Sequence, residues 1–235
     1  MIRNLRSMLL MAAAMPLLAG CAMGPTRDDP FEPFNRAMYA VHEPIDTHVV
    51  RPFIDGYTKY TPAPLRIAIS NFFNNIDDLF SAINDVLQGK RDKFGNDMGR
   101  VTINSGLGLG GLIDIASQIG VERGNEDFGQ TFGVWGIDQG PYLFIPLFGP
   151  TTVRDGSGWI VRLYLGPTGY IPDVPTRNVI YGIGAIDARY QAQDAISFVD
   201  EAALDRYAFI RRAYLQRRLY QVYDGNVPPQ KKEEE

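Results

Sequence analysis

The chain has 235 residues but one cysteine, Cys21, and two histidines, His42 and His48. With a single cysteine no intrachain disulfide can form. The histidines stand six apart, off the four-residue spacing that sets a pair of metal ligands on one helix face, so no metal site is expected. No stretch reaches the ~20 consecutive apolar residues of a membrane-spanning helix. A broad basic excess is also missing. Lys+Arg total 23 against Asp+Glu 27, a formal charge of -4, which argues against nucleic acid as a partner. There is no Gly-x-Ser-x-Gly elbow, and Ser157 lies instead in Asp155-Gly156-Ser157-Gly158, so a lipid hydrolase is not expected. The run from Asn104 to Gly111 is glycine-rich but lacks a following Lys-Ser/Thr pair, so it is not read as a phosphate cradle. Its glycines fit close backbone approach between packed helices, or against lipid.

What is present begins with the leader. Arg3 and Arg6 precede an almost wholly apolar run from Met8 to Leu18, and Leu18-Ala19-Gly20-Cys21 closes it. That is the layout of a secretory signal peptide over 1–20. The ending is similar to a bacterial lipobox, in which the cysteine thiol takes a diacylglyceryl group and becomes the new N-terminus. Cys21 is therefore the expected lipidation site. Several acyl chains, each buried CH₂ contributing ~0.8 kcal/mol, hold a protein stably at a membrane. Ala22 and Met23 follow Cys21 where inner-membrane retention usually has Asp, which favours sorting to the outer membrane, anchored on the periplasmic side.

Residues 21–28 read as a lipidated tether, 29–225 as one helical domain, and 226–235 as a disordered charged tail. The composition holds 24 Gly and 16 Pro, high for a helical protein, and predicts short helices separated by tight turns. Asp29 is expected to cap a first helix, with Pro30 at its first position and Glu32 in capping-box spacing. Pro44 is expected to start the next segment. Thr61-Pro62-Ala63-Pro64 breaks the chain. Leu65, Ile69, Phe72 and Phe73 then share one helical face, Asn74-Asn75 is read as an interruption, and Ile76, Leu79, Phe80, Ile83 and Leu87 follow up to Gly89. Further helices are expected around Phe94–Val101, Ile113–Ala116, Val179–Tyr190 and Leu204–Tyr214. Gly129 and Gly133 weaken a helix at Phe128–Trp135. Arg154 to Gly158 reads as a polar, flexible interval, 167–175 as a loop, and the run at Tyr142 as extended, with pairing left open.

The 13 Phe and 12 Tyr fall on several short stripes. Such stripes form the core of a soluble helical domain, or they lie in a membrane interface with Tyr and Trp at headgroup depth. Both readings stay open from composition alone.

The chain also carries an ordered set of blocks. They include Asp29-Pro30-Phe31-Glu32-Pro33-Phe34-Asn35-Arg36, Ser70-Asn71-Phe72-Phe73-Asn74-Asn75, Gly110-Gly111-Leu112-Ile113-Asp114, Asp127-Phe128-Gly129-Gln130-Thr131, Gly149-Pro150 with Arg154-Asp155-Gly156, Asp187-Ala188-Arg189, and Tyr207 through Arg211 with Ala213-Tyr214 and Arg217. In this order they resemble the VacJ/MlaA family of outer-membrane lipoproteins over nearly all of 21–225. The resemblance implies an all-α fold with few or no strands. Short amphipathic helices would form a ring lying in the membrane interface around a central amphipathic channel. It implies that phospholipid strayed into the outer leaflet enters the channel and passes to a soluble periplasmic carrier, and that the protein docks on a trimeric porin. No cofactor is implied beyond the lipid on Cys21 and the phospholipid cargo. Asp155 is carried over as a channel-lining residue, with Arg154 beside it, and Arg162 falls where some relatives have acids. The competing reading of Arg154-Asp155 is a solvated turn. His42 and Glu43 lie in a stretch that departs from the family and are expected to gate the channel. The alternative function is a structural adaptor lipoprotein that tethers porins or envelope components. The basic run Arg211-Arg212 with Arg217-Arg218 reads as a solvated helix face.

Overall fold

The computed structural model describes residues 29–228. The leader, Cys21 and the tether lie outside the described residues, as do 229–235 of the tail. Ten α-helices and two short strands make up the described chain. Helix α1 (Glu32–Ile45) runs through a π turn (Asp46–Val50) into α2 (Arg51–Tyr60). Helices α3 (Ala63–Gln88) and α4 (Arg91–Gly106) form the longest hairpin, followed by the short α5 (Ile115–Gln118) and α6 (Phe128–Val134). Strands β1 (Tyr142–Ile145) and β2 (Gly149–Thr152) lead directly into α7 (Val153–Leu165). A 3-10 turn (Pro167–Tyr170) precedes α8 (Val174–Gln191), α9 (Gln193–Ala202) and α10 (Arg206–Val222).

The all-α expectation with few strands holds, and the Tyr142 run does pair. β1 and β2 are antiparallel, with Tyr142 opposite Thr152 and Ile145 opposite Gly149. Packing between elements runs in a closed circuit. It passes from α2 to α8, α3, α6, α10, β2, β1 and α1, and returns through the π turn to α2. No helix among the described residues is long and apolar enough to cross a membrane.

Several local expectations are corrected. Helix α1 starts at Glu32 with Phe31 in the capping position, so Asp29 is not its cap. The Asp29 carboxylate is drawn inward, where it accepts from Asn35 at 2.8 Å, from Arg211 at 2.9 Å and from the Tyr207 hydroxyl. Pro44 does not begin a helix but lies inside α1. It has no N–H to donate, and the widened π turn follows directly, a common way to accommodate such a defect. Asn74-Asn75 does not interrupt α3. Asn75 turns its amide to the Ser105 hydroxyl of α4 at 2.9 Å, so a polar pair continues the helix through the hairpin interface. Gly89 ends α3 at φ 75°, as expected, with the Lys90 N–H on the Asp85 carbonyl at 2.8 Å.

Arg154 to Gly158 is not a flexible interval but the first turns of α7. Thr152 caps it by accepting the Asp155 N–H at 3.2 Å, and Asp155 completes a capping-box spacing. The glycines that weakened the neighbouring helix have a steric cause. A Cβ on Gly158 would stand 2.4 Å from the Gly129 nitrogen, and one on Gly129 would stand 2.6 Å from Asp155 Oδ1. Helices α6 and α7 therefore cross backbone against backbone. Gly158→Ala is expected to lower stability by ~1–3 kcal/mol through overpacking, read as a lower denaturant midpoint. Gly182→Ala, where nothing lies within 4 Å of the added carbon, serves as the helical control.

Candidate functional site

The distribution of side chains is inverted relative to an ordinary domain. Among the described residues only eight apolar side chains are buried, while thirty-seven large apolar ones are exposed. One buried apolar cluster among the described residues is Tyr142, Phe144 and Tyr207, packed by Met38, Tyr39, Ile210, Tyr214 and Leu215. A soluble monomer rarely shows so much apolar surface without a partner or a membrane against it. On α7 the exposed set includes Trp159, Ile160, Leu163 and Tyr164, and at the glycine-rich turn it includes Leu107, Leu109 and Leu112. That turn also packs closely. Gly111 lies at φ 91°, and a Cβ there would meet the Asn75 side chain at 2.7 Å.

Ionic networks take the place of the missing core. One joins α6, α7 and α10. Arg218 donates to Asp127 at 2.6 and 2.9 Å and to Asp155 at 2.9 and 3.0 Å. Asp155 also accepts from the Tyr214 hydroxyl at 2.7 Å and from Arg154 at 3.1 Å. Burial pushes the Asp155 carboxyl up, but Arg218 outweighs it and holds the group below the usual carboxylate range. A second network centres on Arg100, 1% exposed, which reaches Asp78, Asp114, Ser117 and the Val121 carbonyl. A third ties the π turn to α8 and α9, with Asp46 held by Arg51 and Arg189, and Arg51 also on Asp200. Among the described residues no three His, Cys, Asp or Glu side chains are placed to hold a metal ion.

The residues singled out in the sequence fall into three places. Arg154 and Asp155 are bonded to each other and buried, which overturns the solvated turn. Arg162 lies two turns further along α7, half-exposed, paired with Asp77 of α3 and with its guanidinium 4.7 Å from the Phe80 ring centroid. His42 and Glu43 sit apart, on α1. His42 Nδ1 accepts the Leu147 N–H of the β turn at 3.2 Å, and its ring lies 5.3 Å from that of Phe144. Burial, the largest influence, pushes its pKa down, which favours the neutral ring that can accept at Nδ1. Glu43 accepts from Arg206 of α10 at 2.9 Å. The two sets are joined through rings in edge-to-face contact. Phe144, Tyr39, Tyr207, Tyr142 and Tyr214 follow one another from His42 to Asp155 at 5.3 to 6.2 Å between centroids.

The basic run on α10 is only half solvated. Arg212 and Arg217 are exposed, whereas Arg211 and Arg218 turn inward to Asp29 and Asp155. Arg218 and Asp127 form an ion pair that sequence reasoning missed. A signal existed, since Tyr207, Arg211, Tyr214 and Arg218 recur at helical spacing on one face.

Comparisons with known proteins give the family. Residues 27–221 match the family model described as MlaA lipoprotein. The chain is 34% identical over 223 residues to the "Intermembrane phospholipid transport system lipoprotein MlaA" of Haemophilus influenzae, covering 89% of this chain and 88% of that protein. It is 31% identical over 233 residues to the protein of the same name from Escherichia coli, covering 94% and 90%. A solved chain from work described as "Structural basis for maintenance of bacterial outer membrane lipid asymmetry" superposes with a TM-score of 0.72 at 30% identity, over 83% of this chain and 100% of that one. The chain belongs to the MlaA lipoprotein family.

Proposed function

We propose that this chain is an outer-membrane lipoprotein, lipidated at Cys21 and held on the periplasmic side. In this reading it removes mislocalised phospholipid from the outer leaflet through an amphipathic channel and passes it to a soluble periplasmic carrier. The observation that carries the proposal is the inversion of the fold, with apolar side chains outside and buried ion pairs within. A passage for phospholipid needs both kinds of surface, one for acyl chains and one for an anionic headgroup. The closed circuit of packed elements supports a ring, and the names of the relatives support the transported class. Docking on a trimeric porin belongs to the same reading, as do channel-facing roles near Arg154, Asp155 and Arg162 and gating by His42 and Glu43. The chemistry asked of the chain is transfer without bond making, so it works as a conduit and not as an enzyme.

A reconstituted system tests this reading. The lipidated chain is placed with a trimeric porin in vesicles holding a fluorescent phospholipid, and a periplasmic lipid carrier is added. Faster appearance of labelled lipid on the carrier than from porin-only vesicles is the expected result. Equal rates would leave only the structural adaptor.

A further inference from the structure

Two carboxyl groups are buried with oxygens that no donor reaches. Asp85 is in the last turn of α3 and Asp97 is in the middle of α4, and both are 0% exposed. The Gly124 N–H donates to Asp97 Oδ1 at 2.8 Å. Asp97 Oδ2 and both Asp85 oxygens find no hydrogen-bond donor. They sit on the two packed helices of one hairpin, and Asp97 is among the groups that act on the Asp85 carboxyl. Among the described residues neither has an ion-pair partner, and the nearby cations bind other acids. Lys90 and Lys93 both bind Glu126 and Asp224. Asp85 also stands at the negative end of its helix, which further disfavours a second charge there.

We propose that Asp85 and Asp97 share one buried proton, and that this proton clasps the α3–α4 hairpin to the segment 121–127 that leads into α6. With the proton present, Asp85 donates to Asp97, and two of the three unpartnered oxygens are satisfied by one bond. Without it, two buried negative charges face each other, and the repulsion acts on the segment that Gly124 ties to Asp97. The fit there is tight, since a Cβ on Gly124 would stand 2.0 Å from Asp97 Oδ2. The same segment sets the Glu126 N–H on the Ser81 hydroxyl at 3.0 Å and ends at Asp127, the partner of Arg218. The proton thus holds α3 and α4 against the approach to α6.

The titration has a definite sign. Burial, then Asp97, then Glu126 push the Asp85 carboxyl up to about 7, and Lys93 acts against them. The charged groups facing the pair are therefore Lys93 on α4, Glu126 on the segment 121–127, Lys90 in the turn between α3 and α4, and Asp224 beyond α10, through its bonds to both lysines. A carboxyl raised in the folded state binds a proton that the unfolded chain has released. Its contribution to stability is complete below the unfolded value and falls as pH rises through the folded one.

The test uses the full chain in detergent, with melting temperature followed between about pH 5 and pH 8, and with infrared spectra of the native chain in the carboxylic-acid carbonyl region. Asp85→Asn and Asp97→Asn each replace the shared proton with an amide donor. The expected results are a carboxylic-acid band in the native chain at the acid end, lost in Asp85→Asn, and a fall of melting temperature with pH that either variant reduces to less than half. A native chain without the band overturns the proposal, as does an Asp85→Asn variant that melts with the native pH slope. The infrared measurement on the native chain decides the matter even where neither variant folds. None of these readouts depends on lipid transport.

Discussion

Arg218→Met is expected to remove about 3–5 kcal/mol of stability, because it leaves buried acid without its cation. Arg218 is the only side chain that bonds both Asp127 and Asp155 among the described contacts, and through them it holds α6 and α7 to α10. Met conserves the length and apolar stem of the side chain, so the loss reports the guanidinium and not a cavity. Denaturant unfolding in detergent measures it. Arg212→Met, on the exposed face of the same helix, is expected to change stability by no more than about 0.5 kcal/mol. Adding Asp155→Asn to Arg218→Met should recover part of the loss, because the amide no longer requires a counter-charge. Equal midpoints for Arg218→Met and Arg212→Met would remove the network from the account of the fold.

The second large effect separates folding from function. Trp159→Asp with Ile160→Asp places two charges on the exposed face of α7, where neither side chain contributes to the buried core. In detergent the doubly substituted chain is expected to lose no more than about 2 kcal/mol, from helix propensity and from the edge contact of Trp159 on Phe148. In cells it is expected to fail as a deletion does, because a charge held in the bilayer costs about 2.5–3.5 kcal/mol at the centre. Full complementation would mean that this face meets water and not lipid.

Acid acts on the networks in a direction opposite to that on the Asp85–Asp97 pair. The carboxyls of Asp155 and Asp46 are held below the ordinary range of 3.8, and that of Asp114 is lowered to about 2, each by arginine or hydroxyl partners that outweigh burial. Groups depressed in this way contribute stability that is present above 3.8 and lost as pH falls toward about 2. Melting temperature should therefore drop steeply below pH 3.8, and Asp114→Asn, at the Arg100 network, should make that drop shallower.

Much of the fold was legible in the sequence because its punctuation is strong. Thr61-Pro62 and Gly89 bound α3 in the structure as the pattern predicts, and the α8 and α10 stripes became helices. What escaped has a common cause, which is that polar residues here pack as a core normally does. Asn74-Asn75 reads as a break until Ser105 is known to accept the Asn75 amide. Arg154-Asp155 reads as a turn until Arg218 arrives from sixty residues further along the chain. Gly129 weakens a helix and Gly158 reads as part of a flexible interval when each is taken alone, and the close approach they permit appears only when the two backbones cross. The candidate site was legible to the same extent. The motif positions Arg154 and Asp155 do lie together, while Asp127 and Arg218 required the geometry.

The central claim is tested most directly in a strain lacking this protein, by measuring how much phospholipid in intact cells is open to an added phospholipase. The account predicts a rise on deletion, restored to the parental level by the native chain but not by a Cys21→Ala chain without its anchor. No rise on deletion, in cells whose envelope is otherwise intact, would contradict removal of outer-leaflet phospholipid and leave the tethering role in its place.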